Sequence, residues 1–344
     1  MFGPSSIRRV ILTLLLPMAS AVFISACSET DKAQDIVTVY SERKEHLIKP
    51  LFDEYTAQTG VEVRYITAAA GPLISRLENE AASTPADLFI TVDAGNIWQA
   101  AERGLLKPVS SDILEKNIPS HLQATDNTWF SLSLRARTIL YSTERVRPEE
   151  LSTYEALAEA QWKGRLCLRT SKKVYNQSLV ATMIKTQGAE KTETIVQGWV
   201  ANLATDPYSN DTSAMEAVLA GQCDITVVNT YYFGRLQAKD PDIKLAVFWP
   251  NQSDRGVHVN ISGAGLTKHG PNSKGAQALL EWLSKPQAQY TFAELNQEYP
   301  ANPKVEPTPL VKAWGTFKQD LVNVESAGGL QAEAIKLMDR AAYR

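Results

Sequence analysis

Hydrophobic positions along the chain follow two periods, and the changes of period mark successive helices and strands. Leu47, Leu51 and Tyr55 share one face at the spacing of an amphipathic helix. The run 61–66 instead alternates residue by residue, as a half-buried strand does. The pattern predicts strands at 36–40, 61–66 and 86–91, and helices at 44–59, 71–82 and 96–102. This alternating order predicts a parallel sheet with helices on both faces.

A second set of elements begins near Trp129. The pattern there predicts extended segments at 129–134 and 138–142, strands at 164–169, 223–228 and 245–249, helices at 175–187, 190–203 and 212–220, and a return crossing at 257–266. The chain is longer than a single hydrophobic core usually accommodates, so we expect two lobes. The expected architecture is an α/β fold whose lobes are joined by extended crossovers around a cleft. The predicted boundaries are 36–134 with 257–300 for the N-terminal lobe, and 135–256 with 301–344 for the C-terminal lobe and closing helices.

The first residues have the composition of an export signal. Arg8 and Arg9 precede an apolar run at 10–23, and the sequence I-S-A-C then ends at Cys27. These four residues resemble the bacterial lipobox, in which the cysteine is acylated and becomes the mature N-terminus. We therefore expect a lipoprotein signal peptide at 1–26, a tether at 27–35, and a periplasmic protein anchored to a membrane by lipid. The alternative is an ordinary signal peptide that happens to end near a cysteine.

Charge and cysteine content narrow the possible partners. Removing residues 1–26 takes away two arginines and no acidic residue, so 33 Lys+Arg stand against 38 Asp+Glu, a net charge of −5. Basic residues do not cluster with aromatic ones, so we expect no nucleic-acid partner. We also expect a monomer. With Cys27 assigned to lipid, Cys167 and Cys223 remain. An even pair in an oxidising compartment predicts a disulfide, and two buried free thiols are the alternative.

Two adjacent tyrosines, Tyr231 and Tyr232, follow the β-branched run I-T-V-V at 225–228. Asn229 and Thr230 can turn the chain and cap a helix, so both phenols are predicted to emerge where a strand meets a helix. Ligands of open α/β sheets bind at such strand ends. Phenolates are hard oxygen donors that suit a small, highly charged cation such as ferric iron. The alternative is that one or both rings only fill a lobe surface or core.

Other groups are predicted to face the same crevice. Tyr141 ends the strand T-I-L-Y, Arg43 follows the first strand, and Arg135 and Arg137 lie near the first crossover. Taken singly, each of these could equally be a packing or surface residue. The four histidines lack metal-ligand spacing, and no nucleophile elbow or phosphate-binding loop follows a strand. The sequence therefore indicates a binding protein rather than an enzyme.

From Val37 to about Asn323 the chain resembles the periplasmic ferric-iron-binding proteins of ABC importers. The matching segments are V-Y-S-E-R-K-E-H-L-I-K-P-L-F, T-P-A-D-L-F-I-T-V-D-A-G-N-I-W, R-A-R-T-I-L-Y-S, S-K-K-V-Y-N-Q-S-L and N-T-Y-Y-F-G-R-L. The resemblance implies the type II periplasmic binding protein fold, capture of Fe(III) and its delivery to an ABC permease. It also implies iron ligation by Tyr141, Tyr231 and Tyr232.

The chain departs from some members of that family at two positions. Lys44 stands where some have a histidine ligand, and Val92 or Asp93 stands where others have a glutamate. The pattern therefore resembles the members that complete the iron site with carbonate or a similar anion. The resemblance assigns that anion to Arg43, and we extend the assignment to two further residues, Arg137 and Asn176.

Two other functions remain open from the sequence. A binding protein of the same fold for a small organic or phosphorus-containing anion would use the arginines and Lys172 or Lys173 directly, with the tyrosines as walls. A secreted, lipid-anchored enzyme is the more remote alternative.

Overall fold

The structure is a computed structural model that describes residues 1–3 and 36–344. Most of the predicted export signal, the expected acylation site Cys27 and the expected tether lie outside the described residues. The strands are β1 (Ile36–Ser41), β2 (Glu62–Thr67), β3 (Leu88–Thr91), β4 (Phe130–Ser142), β5 (Leu166–Cys167), β6 (Ile225–Asn229), β7 (Leu245–Phe248), β8 (Val259–Leu266) and β9 (Tyr299–Pro300).

The helices cover both faces of these strands. They are α1 (Glu45–Thr59), α2 (Ala70–Glu80), α3 (Ala94–Glu102), α4 (Asp112–Asn117), α5 (Val174–Gln187), α6 (Ala189–Ala201), α7 (Asp211–Leu219), α8 (Thr230–Gln237), α9 (Ser273–Leu283), α10 (Pro286–Glu294), α11 (Pro309–Lys312), α12 (Ser326–Gly329) and α13 (Gln331–Arg340). Within residues 1–3 and 36–344, no helix has the length and apolar character needed to cross a bilayer.

The strands form one mixed sheet in the order β2-β1-β3-β8-β4-β6-β5, and β7 and β9 pair with β4 off this path. The strands β1, β2 and β3 are parallel, as the βαβ pattern predicts, and so are β5 and β6. In contrast, β8 runs antiparallel to both β3 and β4. The sheet is therefore not purely parallel, because the two crossing strands run in opposite directions through its middle.

The crossing between lobes is a single strand of 13 buried residues, β4, rather than two extended segments. Leu134 belongs to the first hydrophobic core and Ala136 to the second. The C-terminal region divides differently from the prediction, because Val311 and Val324 pack in the first core whereas Leu337 packs in the second. Only the last part of 301–344 therefore covers the C-terminal lobe.

Cys167 and Cys223 form a disulfide with a Cα–Cα distance of 5.9 Å. Cys167 ends β5, and Cys223 lies two residues before β6, the strand that pairs with it. This is the pair that the sequence left for a disulfide. The bond ties together the two strands that lead toward the tyrosine-bearing helices.

Candidate metal-binding cleft

A cavity of about 330 Å³ opens between the lobes. The N-terminal lobe contributes the loop after β1, and the C-terminal lobe contributes the first turns of α5 and α8. Its walls are formed by Glu42, Arg43, Lys44, Leu47, Ala69, Val92, Arg135, Lys173, Tyr175, Tyr231, Tyr232, Arg235, Asn296 and Glu298. Phenols and cations thus dominate the polar lining of the cleft.

Tyr231 and Tyr232 lie in the first turn of α8, directly after the buried strand β6. This is the strand-to-helix junction predicted from the sequence. Their ring centroids are 4.4 Å apart, and Tyr231 is buried whereas Tyr232 is half-buried. The amide of Asn229 donates to the Tyr231 hydroxyl over 3.4 Å. The local fold therefore presents both phenols to the same wall of the cleft.

A third phenol, that of Tyr175, joins this pair from the first turn of α5. Its phenol lies close enough to that of Tyr231 to contribute to the raised pKa of Tyr231. Tyr175 is not among the ligands predicted from the sequence, although it lies in the segment S-K-K-V-Y-N-Q-S-L next to Asn176, a predicted anion-binding residue. The available signal was position, since Tyr175 follows a predicted strand at the start of a helix, as Tyr231 and Tyr232 do.

Tyr141 does not line the cleft, and this corrects the expected ligand set. Strand β4 runs antiparallel to β6, so Arg137 lies opposite Asn229 and Tyr141 lies opposite Ile225. Four residues of strand separate those two positions, or roughly 13 Å. Tyr141 packs in the second hydrophobic core at the far end of β6 from Tyr231. Its position at the end of a strand suggested an iron ligand, but this end of β4 lies away from the cleft.

The electrostatic environment favours the protonated forms of Tyr175 and Tyr231. Burial raises the pKa of Tyr231 well above its usual value, and so does the proximity of Tyr175 and Tyr232. Burial likewise raises the pKa of Tyr175. Cations lie against the rings: the Arg235 guanidinium is 5.2 Å from the Tyr231 centroid, and Lys173 Nζ is 4.9 Å from that of Tyr175. These phenols need a strong positive charge to ionise.

Arg43 and Arg135 form the cationic side of the cleft. Arg43 Nη1 donates to Ser262 Oγ at 2.8 Å and pairs with Glu298 at 3.1 Å, and its guanidinium lies 4.3 Å from the Phe292 centroid. Arg135 Nη1 also reaches Ser262 Oγ, at 3.3 Å. Within the described part of the chain, Nε and Nη2 of Arg43 and Nε of Arg135 have no hydrogen-bond partner. Buried donors of this kind are suited to an anion.

Glu298 balances part of this positive charge. Burial opposes its ionisation, but Arg43 and Arg135 outweigh that cost and hold the pKa of the carboxyl below its usual value. Glu298 is therefore a buried anion already paired with Arg43. Lys44, which stands at the family's histidine position, lines the cleft together with Val92. Asp93, the other candidate considered at the glutamate position, does not line it.

Arg137 and Asn176 do not line the cleft either, and this corrects their expected role in anion binding. Arg137 Nη1 pairs with Asp211 at 3.2 Å, and its Nε donates to Asn176 Oδ1 at 2.9 Å. Asn176 Nδ2 donates in turn to the carbonyl of Arg169 at 2.8 Å and to the Tyr343 hydroxyl. Both side chains are buried, and their polar atoms are hydrogen-bonded to other residues of the protein. They therefore hold the elements behind the phenols in place.

The residues 1–3 and 36–344 contain no group of three or more His, Cys, Asp or Glu side chains arranged to hold a metal. The three phenols are oxygen donors that line the cleft together with the carboxylates of Glu42 and Glu298.

Fold and site together define a two-lobed binding protein with its ligand cleft between the lobes. Residues 50–319 match the family model of bacterial extracellular solute-binding proteins, and the chain belongs to that family. The family resemblance and the two-lobed α/β fold expected from the sequence are thereby confirmed.

Three relatives illustrate the similarity. Iron uptake protein A1 of Synechocystis is 40% identical over 354 residues, covering 98% of this chain and 98% of that protein. A Trichodesmium structure, IdiA (FutA) in complex with iron and citrate ligands, is 43% identical with a TM-score of 0.87, covering 90% of this chain and 100% of the other. The ferric binding protein of Campylobacter jejuni is 35% identical with a TM-score of 0.83, at the same coverage.

Proposed function

We propose that this protein captures ferric iron outside the cytoplasm and delivers it to an ABC permease. The observation that carries the proposal is the convergence of Tyr175, Tyr231 and Tyr232 on one wall of a cleft whose other wall carries Arg43 and Arg135. The names of the relatives, which are iron uptake and ferric binding proteins, support the same cargo.

The chemistry of the phenols favours Fe(III) over other metals. Ferric iron is small and hard and prefers anionic oxygen ligands. A free tyrosine ionises near pH 10, so its deprotonation at neutral pH requires the charge of the metal itself. Three phenolates neutralise the three positive charges of the ion. Iron therefore supplies the positive charge that the raised pKa values of Tyr175 and Tyr231 demand.

An anion completes the site in this proposal. Three phenolates leave coordination positions of the iron open, and the N-terminal lobe presents Arg43, Lys44 and Arg135 toward them. Guanidinium groups grip planar oxyanions at two points. Carbonate or a carboxylate anion meets this requirement, and the Trichodesmium relative is described with citrate beside its iron. Arg135 replaces Arg137 and Asn176 in this role.

Delivery follows from the same chemistry. Closure of the two lobes over the metal gives the loaded protein a distinct shape for a membrane permease. Protonation of the anion or phenolates, or reduction to Fe(II), weakens the site and releases the ion. The protein acts in the periplasm, held at the membrane by lipid on Cys27. It has no turnover of its own, in keeping with the relatives, which are named as uptake and binding proteins.

Titration of the purified protein with ferric citrate tests the proposal. Binding through phenolates is expected to produce a visible phenolate-to-iron charge-transfer band, which Tyr231→Phe and Tyr232→Phe should weaken or remove. A wild-type protein that stays colourless and binds no iron would contradict the proposal. Tight binding of a phosphonate or another small anion that survives both substitutions would instead support the alternative ligand class.

A further inference from the structure

One fully buried hydrogen bond joins the two lobes beside the cleft. Ser178 Oγ donates to Asp93 Oδ1 over 2.9 Å. Asp93 lies between β3 and α3 in the N-terminal lobe, and Ser178 lies in α5 of the C-terminal lobe. Both side chains are completely shielded from solvent. A charged acceptor thus sits in the contact between lobes rather than at the surface of either.

The carboxylate of Asp93 is held rigidly on the N-terminal side. Its Oδ1 also accepts from the Gly95 amide at 2.7 Å, which caps α3, and its Oδ2 accepts from Asn260 Nδ2 at 2.8 Å. Asn260 belongs to the crossing strand β8 and pairs there with Arg135. Asp93 is therefore fixed to the strands that run between the lobes, and Ser178 completes its set of donors.

Ser178 lies on the helix that presents a candidate iron ligand. Tyr175 and Ser178 are three residues apart in α5, so they share one face of the helix. The position of α5 relative to the N-terminal lobe is thus constrained one turn away from the phenol. A shift of α5 away from Asp93 would carry Tyr175 away from the arginines across the cleft.

We propose that the Asp93–Ser178 hydrogen bond is a latch between the lobes, and that Ser178 is a positioning residue for Tyr175. The part of this inference that concerns iron rests on the proposed function. The latch itself rests on the contact between the lobes.

The energetics of lobe closure support the latch. Closing the lobes removes the Asp93 carboxylate from water, and burial opposes its charged form; Arg135 and the bonds from Gly95 and Ser178 offset part of that cost. Opening lets water replace the serine hydroxyl. In a Ser178→Ala variant, closure would leave a buried carboxylate one donor short, which penalises the closed state specifically.

Other side-chain hydrogen bonds between the lobes are only part-buried. Gln331 bridges Gln99 at 2.6 Å and Gln177 at 3.0 Å, and both bonds are part-buried. Arg235 of α8 donates to Asn296, also part-buried. Water can reach these part-buried bonds, whereas the bond between Asp93 and Ser178 is shielded from solvent. Its loss is therefore expected to affect closure most.

The chain offers matched controls for the test. Thr182 lies one turn beyond Ser178 on α5 and donates to the Ser178 carbonyl at 3.0 Å, within the helix. Asp87 is a buried carboxylate that accepts from Thr38 and Asn272 of its own lobe. Thr182→Ala and Asp87→Asn thus remove comparable groups without touching the contact between lobes.

The experiment combines small-angle scattering with ferric citrate titration. Ser178→Ala is expected to have a larger radius of gyration than wild type without ligand and to bind iron about tenfold more weakly. Thr182→Ala should match wild type in both measurements. A double-mutant cycle with Asp93→Asn should be non-additive, with Asp87→Asn as its additive counterpart.

The outcomes separate the two proposals. Equal radii of gyration for ligand-free wild type and Ser178→Ala would overturn the latch, whatever the iron titration gives. The same loss of iron affinity in Thr182→Ala and Ser178→Ala would overturn the positioning role, because it would show only a general effect on α5. Absence of iron binding in wild type would overturn the proposed function, and the scattering comparison would still decide the latch.

Discussion

The Nε atom of Arg137 donates to Oδ1 of Asn176 over 2.9 Å, and this bond ties the crossing strand β4 to the helix that carries Tyr175. The same guanidinium donates to Asn229 Oδ1 at 3.1 Å and to the Val227 carbonyl at 3.0 Å, at the end of β6. Arg137 therefore connects the two segments from which all three candidate phenols emerge. Its function is to hold their relative positions.

Arg137→Gln is expected to destabilise the fold strongly. The substitution leaves the Asp211 carboxylate, which is completely buried, without its main cationic partner. Breaking a buried ion pair from one side costs about 3–5 kcal/mol. Urea unfolding followed by circular dichroism measures the free energy of unfolding. A loss below 1 kcal/mol would mean that the network around Arg137 is not structural.

Arg135→Gln is expected to weaken the anion site. Arg135 lines the cleft, and its Nε has no hydrogen-bond partner among the described residues. Loss of a charge-assisted hydrogen bond to the anion should lower the iron affinity measured with the anion present by about tenfold or more. The measurement is iron affinity with and without added carbonate or citrate. An unchanged dependence on the anion would exclude Arg135 from the anion site.

Tyr175→Phe and Tyr141→Phe form a matched pair that tests the corrected ligand set. Both remove one hydroxyl from a buried ring, but only Tyr175 lines the cleft. Tyr175→Phe is expected to shift the charge-transfer band and to weaken iron binding by at least a hundredfold, about 3 kcal/mol. Tyr141→Phe should leave both unchanged. The reverse result would restore the ligand set first expected from the sequence.

The order of elements and the position of the lobe crossing could be predicted because both depend on local patterns. The β-branched run before Tyr231 forms a strand, and the junction that follows it presents both phenols. The buried strand β4 changes cores between Leu134 and Ala136, beside the predicted crossing. Periodicity records burial directly, so it located these features without knowledge of tertiary contacts.

The incorrect site predictions depend on tertiary contacts, which the periodicity of hydrophobic residues does not reveal. Tyr141 ends the apolar run T-I-L-Y, and only the antiparallel register of β4 with β6 shows that this end of the strand lies away from the cleft. Arg135 and Arg137 are two residues apart on one strand and point to the same face. They lie on either side of the point where β4 passes from one lobe to the other. Arg135 therefore lines the cleft, whereas Arg137, two residues later, is part of the scaffold.

The disulfide between Cys167 and Cys223 is expected to stabilise the C-terminal lobe. It closes a long loop, since its two cysteines have a sequence separation of 56, and it joins the region of the two parallel strands β5 and β6. Removing such a bond costs about 2–4 kcal/mol. The Cys167→Ser, Cys223→Ser double variant should unfold at a correspondingly lower urea concentration. Wild type under reducing conditions should behave like that variant, and equal midpoints in all three samples would contradict the prediction.

His258 is expected to make the fold sensitive to acid. It lies next to the lobe crossing, where burial lowers its pKa to about 3, with Arg137, Arg255 and Arg135 adding to the effect. Its ordinary pKa is about 6.5. Between these values the unfolded chain binds a proton that the folded protein does not. The histidine therefore lowers stability as the pH falls from about 6.5 toward 3, with a slope approaching 1.4 kcal/mol per pH unit.

His258→Gln isolates this contribution, because Asp93, whose pKa burial raises to about 6, has the opposite effect on stability in part of the same range. The free energy of unfolding of the variant should fall less steeply than that of wild type between pH 6.5 and 4. His269 is exposed, so His269→Gln is the matched control and should keep the wild-type slope. Parallel curves for wild type and His258→Gln would show that His258 is not held neutral in the folded protein.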